Sequence, residues 1–166
     1  MGFTMRAATV ADAPRLLAVY APYVEHTAIT FEYAVPTVAE FEKRIAGVLC
    51  RFPYLVAEAD GEVLGYAYAA PFHARAAYAY CAEVTVYLAE NARGRGIGRQ
   101  LYALLHAILK EQGIVNAIAL ITPRKTAKTI PACIFIRKWA IALPDASKTA
   151  GISSGGGSTP CIWKKR

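Results

Sequence analysis

Two apolar runs flank the dipeptide Asp60-Gly61 in "PYLVAEADGEVLGYAYAAPF", and this pattern constrains the fold more than any other stretch of the chain. Asp-Gly is typical of the two-residue type I′ turn that joins antiparallel strands. A third run, "YAYCAEVTVYLAE", is rich in the valine, threonine and tyrosine that favour strands. Together the three runs predict an antiparallel meander.

Helical patterns precede and follow this meander. The stretch "VADAPRLLAVYAPYV" directs Leu16, Leu17, Val19 and Tyr20 to one face. A further helix is predicted from Arg99 to Gln112, with Gly113 in the position that commonly ends a helix.

The stretch "TVAEFEKRIAGVLCRF" predicts another helix, which begins at Thr37 with the Thr37–Glu40 spacing of a capping box. Its predicted apolar stripe consists of Phe41, Ile45, Val48 and Leu49. The stretches "FTMRAAT", "AITFEYAVPT" and "NAIALIT" are predicted to be extended, the last of them as a buried strand. The order β-α-β-α-β-β-β-loop-α-β predicts an α+β fold with a mostly antiparallel sheet flanked by helices.

The charge of the chain changes abruptly near residue 123. The chain carries a net charge of +7, which invites a nucleic-acid interpretation. Residues 1–122, however, contain 10 Lys and Arg against 11 Asp and Glu, whereas residues 123–166 contain 9 against 1. The first part therefore has the composition of a slightly acidic enzyme, and a nucleic-acid partner is not expected for it.

Three alternating glycines interrupt the chain in "ARGRGIGRQL", between a predicted strand and a predicted helix. Gly94, Gly96 and Gly98 permit a tight turn whose N–H groups converge, and the helix adds the positive end of its dipole. The neighbouring cations are Arg93, Arg95 and Arg99. These features predict a pyrophosphate cradle, although a plain glycine turn with solvated arginines remains an alternative. The loop has neither Rossmann spacing nor the Gly-Lys-Ser/Thr of a Walker loop.

One acidic residue, Glu83, lies in the middle of the apolar run "YCAEVTVYL". A carboxylate is costly to bury, so its presence requires a reason. Either the side chain faces outward from the strand, or it serves as a general base, because a carboxylate partly removed from water binds a proton more readily. The sequence leaves both interpretations open.

Several of these segments resemble the GCN5-related N-acetyltransferases, and more narrowly their phosphinothricin N-acetyltransferase branch. The similar blocks are "ITFEY", "FPYLVAEADGEVLGYAYAAPFHARAAYAYCAEVTVYL" and "GRGIGRQLYALLHAILKEQG". The resemblance covers roughly residues 3–122 and implies a GNAT fold that uses acetyl-CoA without a metal. It assigns Glu83 as the catalytic base. It also implies that the chain forms a homodimer.

The resemblance assigns cofactor and substrate contacts as well. The backbone of Val86, Tyr87 and Leu88 would pair with the pantetheine arm, and an N–H there would polarise the thioester carbonyl. The cofactor loop would consist of Arg93, Gly94, Arg95, Gly96, Ile97 and Gly98. The substrate residues would be Arg75, as a fork for an anionic group, with Tyr78, Tyr80, Phe31 and Tyr33 as walls. For Arg75 a surface charge is the alternative.

The resemblance stops after "NAIALIT". The family continues with an Asn-x-x-Ser helix, a Gly-Tyr/Phe turn and two closing strands, whereas this chain continues with a basic segment that has none of them. Read one base out of register, the codons of "GISSGGGSTPCIWKKR" can encode "GYKLGRWVDPVYLEK", which resembles the missing signature. We therefore expect a GNAT core at residues 1–122 and an anomalous segment, produced by a frame shift, at residues 123–166.

The function expected on this basis is acetyl transfer from acetyl-CoA to the amino group of a small amino acid such as phosphinothricin or methionine sulfoximine or sulfone. Acetylation of protein N-termini or lysines is one alternative. A non-catalytic protein that binds CoA, or nucleic acid through its basic tail, is another. No apolar run is long enough for a membrane span, and the four cysteines show no metal-site spacing, so a cytoplasmic protein is expected.

Overall fold

The structure is a computed structural model that describes residues 2–120. These residues form an α+β fold, as expected, except that no strand lies between the first two helices; the predicted anomalous segment at 123–166 lies outside them. The strands are β1 (Thr4–Ala7), β2 (Tyr54–Ala59), β3 (Glu62–Pro71), β4 (Cys81–Leu88) and β5 (Asn116–Ile118). The helices are α1 (Ala13–His26), α2 (Val38–Leu49) and α3 (Ile97–Glu111).

The described strands form one sheet in the order β1-β2-β3-β4-β5. Every neighbouring pair is antiparallel except β4 and β5, which run parallel. The turn between β2 and β3 has φ of 52° at Asp60 and 81° at Gly61, the left-handed values that a type I′ turn needs. The predicted meander and the mostly antiparallel sheet are confirmed. The short β5 is half-buried rather than buried as predicted.

The two faces of the sheet carry different side chains, because successive residues of a strand point to opposite sides. Register places Tyr66 opposite Tyr87 and Tyr68 opposite Thr85, so these residues share a face with Glu83. Tyr66 and its neighbours on that face belong to one core with α1 and α2. Helix α3 contacts β2, β3 and β4 and covers the other face.

Helix α2 begins as the sequence predicts. The Thr37 hydroxyl accepts from the Glu40 N–H at 3.3 Å, and the Glu40 carboxylate accepts from the Thr37 N–H at 2.8 Å. Phe41 and Ile45 are buried, but Leu49, which was expected in the apolar stripe, is exposed. Leu49 is the last residue of the helix, where the chain turns away toward β2.

The expected strand in "AITFEYAVPT" is wrong, since residues 28–36 form bends and loop. A strand requires a ladder of backbone hydrogen bonds, and side chains hold this segment instead. The Thr27 hydroxyl donates to the Tyr23 carbonyl at 2.5 Å and accepts from the Ile29 N–H at 3.2 Å. Glu32 forms an ion pair with Arg44 of α2 at 2.5 Å. The segment is therefore a loop anchored to both helices.

A buried acidic group joins β1 to the start of α1. The Asp12 carboxylate accepts from two nitrogens of Arg6, both at 2.7 Å, and from Arg15 at 2.5 Å. The Thr9 N–H donates to it at 2.8 Å, and the residue is 2% exposed. The Arg6 guanidinium, with the help of the other donors, holds the pKa of Asp12 well below its usual range. Arg6 also bonds Glu58 of β2 at 2.9 Å, so the network spans three elements.

We expect Asp12→Asn to lower the free energy of unfolding at neutral pH by about 2 kcal/mol, because it removes charge-assisted hydrogen bonds. Since the pKa of Asp12 is lower in the folded than in the unfolded chain, its contribution is present above about pH 4 and is lost as the pH falls below that value. Urea unfolding between neutral pH and about pH 3 measures this. The variant should lose less stability on acidification; an unchanged pH dependence would contradict the assignment.

Candidate functional site

Glu83 lies near the start of β4 and is half-buried. Its backbone is opposite Ala70 of β3 and Ile118 of β5, so it occupies an interior strand of the sheet. Its side chain belongs to the sheet face covered by α1 and α2. Burial raises the pKa of Tyr68, and the negative charge of Glu83 adds to this effect. The carboxylate therefore shares its sheet face with Tyr66, Tyr68 and Tyr87, and its charge acts on Tyr68.

Strand β4 connects two loops of different composition. The loop before it, residues 72–80, contains Arg75 and two of the predicted tyrosines. The loop after it, residues 89–96, contains the first glycines of the predicted cradle. One strand thus joins a candidate acceptor region, a carboxylate and a candidate phosphate region.

The glycine loop forms the turn that the sequence predicts. Gly94 and Gly96 have φ of 76° and 79°, values that disfavour other residues. Helix α3 begins at Ile97 rather than at Arg99, two residues earlier than expected. Gly98 lies inside this helix and not in the turn, which corrects the expected role of the third glycine. A Cβ there would lie 3.4 Å from Leu88 Cδ1, an ordinary van der Waals contact, so neither space nor backbone conformation requires glycine at this position.

The loop and the first turn of α3 suit an anionic group. The cap residue Gly96 has no side chain to occupy the first N–H groups of the helix, and the Gln100 N–H is the first to reach the Gly96 carbonyl, at 3.2 Å. Arg95 and Arg99 are exposed at the same end. These are features of the predicted pyrophosphate cradle, because N–H groups at a helix N-terminus bind phosphate oxygens.

Gly96→Ala should weaken CoA binding and lower the free energy of unfolding by about 1–2 kcal/mol, because alanine disfavours a positive φ. A Cβ at this position would meet no atom within 4 Å, so backbone strain is the expected cause rather than a clash. Calorimetric titration and thermal unfolding measure the two effects. Gly47→Ala, in open space within α2, is the matched control and should stabilise the chain slightly. Equal behaviour of the two variants would refute the expectation.

The end of β4 contains the predicted pantetheine segment, Val86, Tyr87 and Leu88, all half-buried. Among the described residues, β5 pairs only with Cys81, Ala82 and Glu83. The outer edge of β4 beyond Glu83 is therefore not paired with a strand in the described part of the chain. A pantetheine arm at this edge would meet the backbone groups that point away from β3.

The predicted substrate residues lie on two loops. Arg75 is exposed and caps the short 3-10 turn Ala76–Tyr78, where the Tyr78 N–H donates to its carbonyl at 2.9 Å. Tyr78 packs against Phe72, with ring centroids 5.6 Å apart. Tyr80 is exposed, and its carbonyl accepts from the N–H groups of Val115 and Asn116 at 3.0 and 3.2 Å.

Phe31 and Tyr33 belong to the loop between α1 and α2, and both are exposed, Phe31 by 84%. Among residues 2–120, no hydrogen bond, ion pair or ring contact joins either of them to Arg75 or Glu83. The structure therefore places three of the five on the loop that leads into β4 and two on the helix-connecting loop. Their roles toward a substrate stay predictions.

Two further residues shape the end of β4, and the sequence analysis did not identify them. A Cβ at Gly65 would lie 2.5 Å from Leu88 Cδ2 and 2.6 Å from the Tyr87 carbonyl oxygen, so only glycine fits there. A glycine inside a strand run is a signal for such close approach. The Tyr23 hydroxyl bonds the backbone of Leu88, a contact for which the sequence carries no signal.

An open groove of about 420 Å³ lies between α1, the β2–β3 turn and the glycine loop. Its lining includes Arg15, Tyr23, Leu88 and Arg93 but not Glu83. Within residues 2–120, no set of three or more His, Cys, Asp or Glu could bind a metal ion. The helices of that same part of the chain are too short or too polar to cross a membrane.

Comparison with known proteins identifies similar sequences and structures. The sequence model of the acetyltransferase (GNAT) domain family matches residues 5–136. A phosphinothricin N-acetyltransferase of Alcaligenes faecalis is 43% identical over 105 residues, which are 63% of this chain and 53% of that protein. An L-methionine sulfoximine/L-methionine sulfone acetyltransferase of Pseudomonas aeruginosa is 33% identical over 73% of this chain and 72% of that one. The chain spans only about half to two thirds of the first curated relatives.

Solved structures give the same fold. A GNAT superfamily phosphinothricin acetyltransferase from Sinorhizobium meliloti, in complex with AcCoA, has a TM-score of 0.75 and 33% identity, over 84% of this chain and 74% of that one. A ribosomal-protein-alanine N-acetyltransferase from Brucella melitensis has a TM-score of 0.75 and 34% identity, over 82% of both chains. The predicted fold is confirmed by these likenesses.

Proposed function

Because the chain belongs to the acetyltransferase (GNAT) domain family, we propose that it transfers an acetyl group from acetyl-CoA to the amino group of a small amino acid such as phosphinothricin or methionine sulfoximine or sulfone. The proposal rests mainly on the residues of β4 and on the turn that follows this strand. This strand bears the half-buried Glu83 and leads directly into the glycine turn at the N-terminus of α3. The proposed base thus lies on the strand that leads into the proposed anion site.

The proposed chemistry follows from these groups. An amine arrives largely as ammonium, and Glu83 accepts its proton, directly or through a water. The freed nitrogen lone pair attacks the thioester carbonyl carbon, while a backbone N–H of the Val86–Leu88 segment stabilises the developing oxygen charge. The C–S bond then breaks and the sulfur leaves as a thiolate. The nitrogen gives up its second proton, so that a neutral amide forms, and the thiolate takes up that proton to give the CoA thiol. Glu83 releases the first proton to water. Neither a metal nor an oxidant is needed for this balance.

Acceptor choice is assigned to the loop before β4. The exposed guanidinium of Arg75 can bind a carboxylate or phosphinate through two parallel hydrogen bonds. In the described part of the chain no ion pair with an acidic side chain occupies Arg75. The names of the phosphinothricin and methionine sulfoximine acetyltransferase relatives support a small anionic amino acid.

A second candidate acceptor is the N-terminal amine of a protein. The likeness to a ribosomal-protein-alanine N-acetyltransferase favours it, and so do the exposed Phe31, Tyr33 and Tyr80, which leave the candidate acceptor region open in the described part of the chain. A peptide beginning with alanine would present an amine without the nearby carboxylate that Arg75 recognises. The two candidates therefore differ in their need for Arg75.

The domain assignment is also a proposal. We assign residues 1–122 to the acetyltransferase core and residues 123–166 to a segment produced by a one-base frame shift. Several curated relatives align with 63–73% of this chain. These alignments are 105 to 126 residues long, which supports a core of about this size. The nucleotide sequence tests the assignment directly: an insertion or deletion near codon 123 is expected, and an uninterrupted frame shared by relatives would refute it.

The activity test compares this chain with the frame-restored chain. Each is given acetyl-CoA with phosphinothricin, methionine sulfoximine or an alanine-initiated peptide, and released CoA thiol is measured. The first candidate, a small anionic amino acid, is supported if acetyl transfer to phosphinothricin or methionine sulfoximine is slower in Arg75→Gln. Transfer to the peptide that persists in Arg75→Gln supports the second. Binding of CoA without transfer to any acceptor, in both chains, overturns the enzymatic proposal.

A further inference from the structure

The Tyr23 side chain of α1 makes a two-way contact with the end of β4. Its hydroxyl donates to the Leu88 carbonyl at 2.6 Å and accepts from the Leu88 N–H at 3.3 Å. Both backbone groups of one residue are thus bound by a single hydroxyl that comes from another element. A hydroxyl can do this because it is donor and acceptor at once.

The edge on which this contact lies follows from the strand register. The Ala89 N–H donates to the Leu64 carbonyl at 2.9 Å, so it points toward β3. The Tyr87 carbonyl also points there, since it would lie 2.6 Å from a Cβ at Gly65. Because backbone groups of successive residues alternate between the two edges of a strand, the Leu88 groups point away from β3. This is the edge that the proposed pantetheine contact would use.

The Tyr23 ring joins the strand to the glycine loop. The Arg93 guanidinium carbon lies 5.3 Å from the ring centroid, within the range of a cation–π contact. The ring also meets Tyr87 edge to face, with centroids 5.0 Å apart. Tyr23 therefore contacts the last two residues of β4 and the first arginine of the candidate phosphate loop. Pro22 precedes it within α1.

We propose that Tyr23 is a positioning residue for acetyl-CoA, an inference that rests on the proposed function. Its hydroxyl fixes the end of β4, and its ring holds Arg93 beside that end. The pantetheine segment and the phosphate loop are thereby kept in one arrangement before the ligand binds. Within the predicted pantetheine segment, the Tyr87 groups face β3 and the Leu88 groups are held by Tyr23. Of the three expected residues, Val86 is therefore the one whose outward groups remain for the ligand.

The test uses the full chain and the variant Tyr23→Phe, which keeps the ring and removes only the hydroxyl. CoA is titrated by calorimetry, and amide hydrogen exchange is followed without ligand in peptides that span residues 86–93. The dissociation constant for CoA should rise about three- to tenfold, and exchange of residues 86–93 should accelerate. Tyr54→Phe is the matched control, because Tyr54 is a buried core tyrosine on β2. Tyr54→Phe should change neither the dissociation constant for CoA nor the amide exchange of residues 86–93.

Each outcome decides one question. Unchanged exchange at residues 86–93 in Tyr23→Phe overturns the proposal, whatever happens to CoA. Faster exchange with an unchanged dissociation constant leaves the contact purely structural and also overturns it. If the unaltered chain does not bind CoA, the proposed cofactor fails and the positioning role fails with it, while the exchange data still report whether Tyr23 fixes the strand. If CoA affinity falls equally in Tyr23→Phe and Tyr54→Phe, the cause is a general loss of stability, and the positioning role is refuted.

Discussion

Glu83→Gln is expected to lower kcat/KM for acetyl transfer by about 10²–10⁴-fold, the usual contribution of a positioned general base. Glutamine preserves the size of the side chain and its place on β4 but cannot accept the ammonium proton. The loss should therefore fall on the chemical step, while CoA binding remains within about twofold because the glycine turn is unchanged. The loss is measured by steady-state kinetics. The variant is made in whichever is more active, this chain or the frame-restored chain.

The control is Glu111→Gln, which removes an exposed carboxylate at the end of α3. It should retain full activity. Full activity of Glu83→Gln across the pH range would remove Glu83 from the mechanism.

Gly65→Ala is expected to lower the free energy of unfolding by about 1–3 kcal/mol, as overpacking does. The new Cβ would lie 2.5 Å from Leu88 Cδ2, which can rotate, but also 2.6 Å from the Tyr87 carbonyl oxygen and 3.1 Å from Leu88 Cα, which are backbone. The strands must separate locally, so the end of β4 should move and CoA binding should weaken. Urea unfolding and CoA titration measure the two effects.

The contrast for Gly65→Ala is Ala67→Gly, two residues along the same strand, where a buried Cβ is removed instead of added. It should cost about 1 kcal/mol through chain entropy and should leave CoA binding unaltered. A Gly65→Ala variant that is as stable as the unaltered chain would show that β3 and β4 have room at this point.

The sequence predicts those elements whose signals are local. The Asp60-Gly61 turn, the capping box at Thr37 and the helix stop at Gly113 need only neighbouring residues, and all three are present in the structure. The loop at residues 28–36 was not predicted, because its apolar residues mimic a strand and nothing local reveals that a partner strand is lacking. Its anchors, Tyr23 and Arg44, lie on different helices.

In the candidate site, too, residues with a local sequence signal were predicted and those without one were not. Glu83 and the glycine loop stand out within their own segments, as a carboxylate in an apolar run and as glycines at alternate positions. Tyr23 does not stand out, since a tyrosine on an amphipathic helix is typical of a core residue and its hydroxyl partner, Leu88, lies 65 positions further along the chain. A contact between residues so far apart in the chain leaves no local pattern by which a single sequence would reveal it.

The length of β4 has a consequence for how such a protein could change. Eight residues at roughly 3.3 Å each separate the two ends of the strand by about 25 Å. On the proposed function, the end near Glu83 meets the acceptor, and the other end meets the pantetheine arm and leads into the phosphate loop. The two recognition tasks are thus modular: substitutions in residues 72–80 can alter which amine is accepted without disturbing Gly94, Gly96 or the first turn of α3.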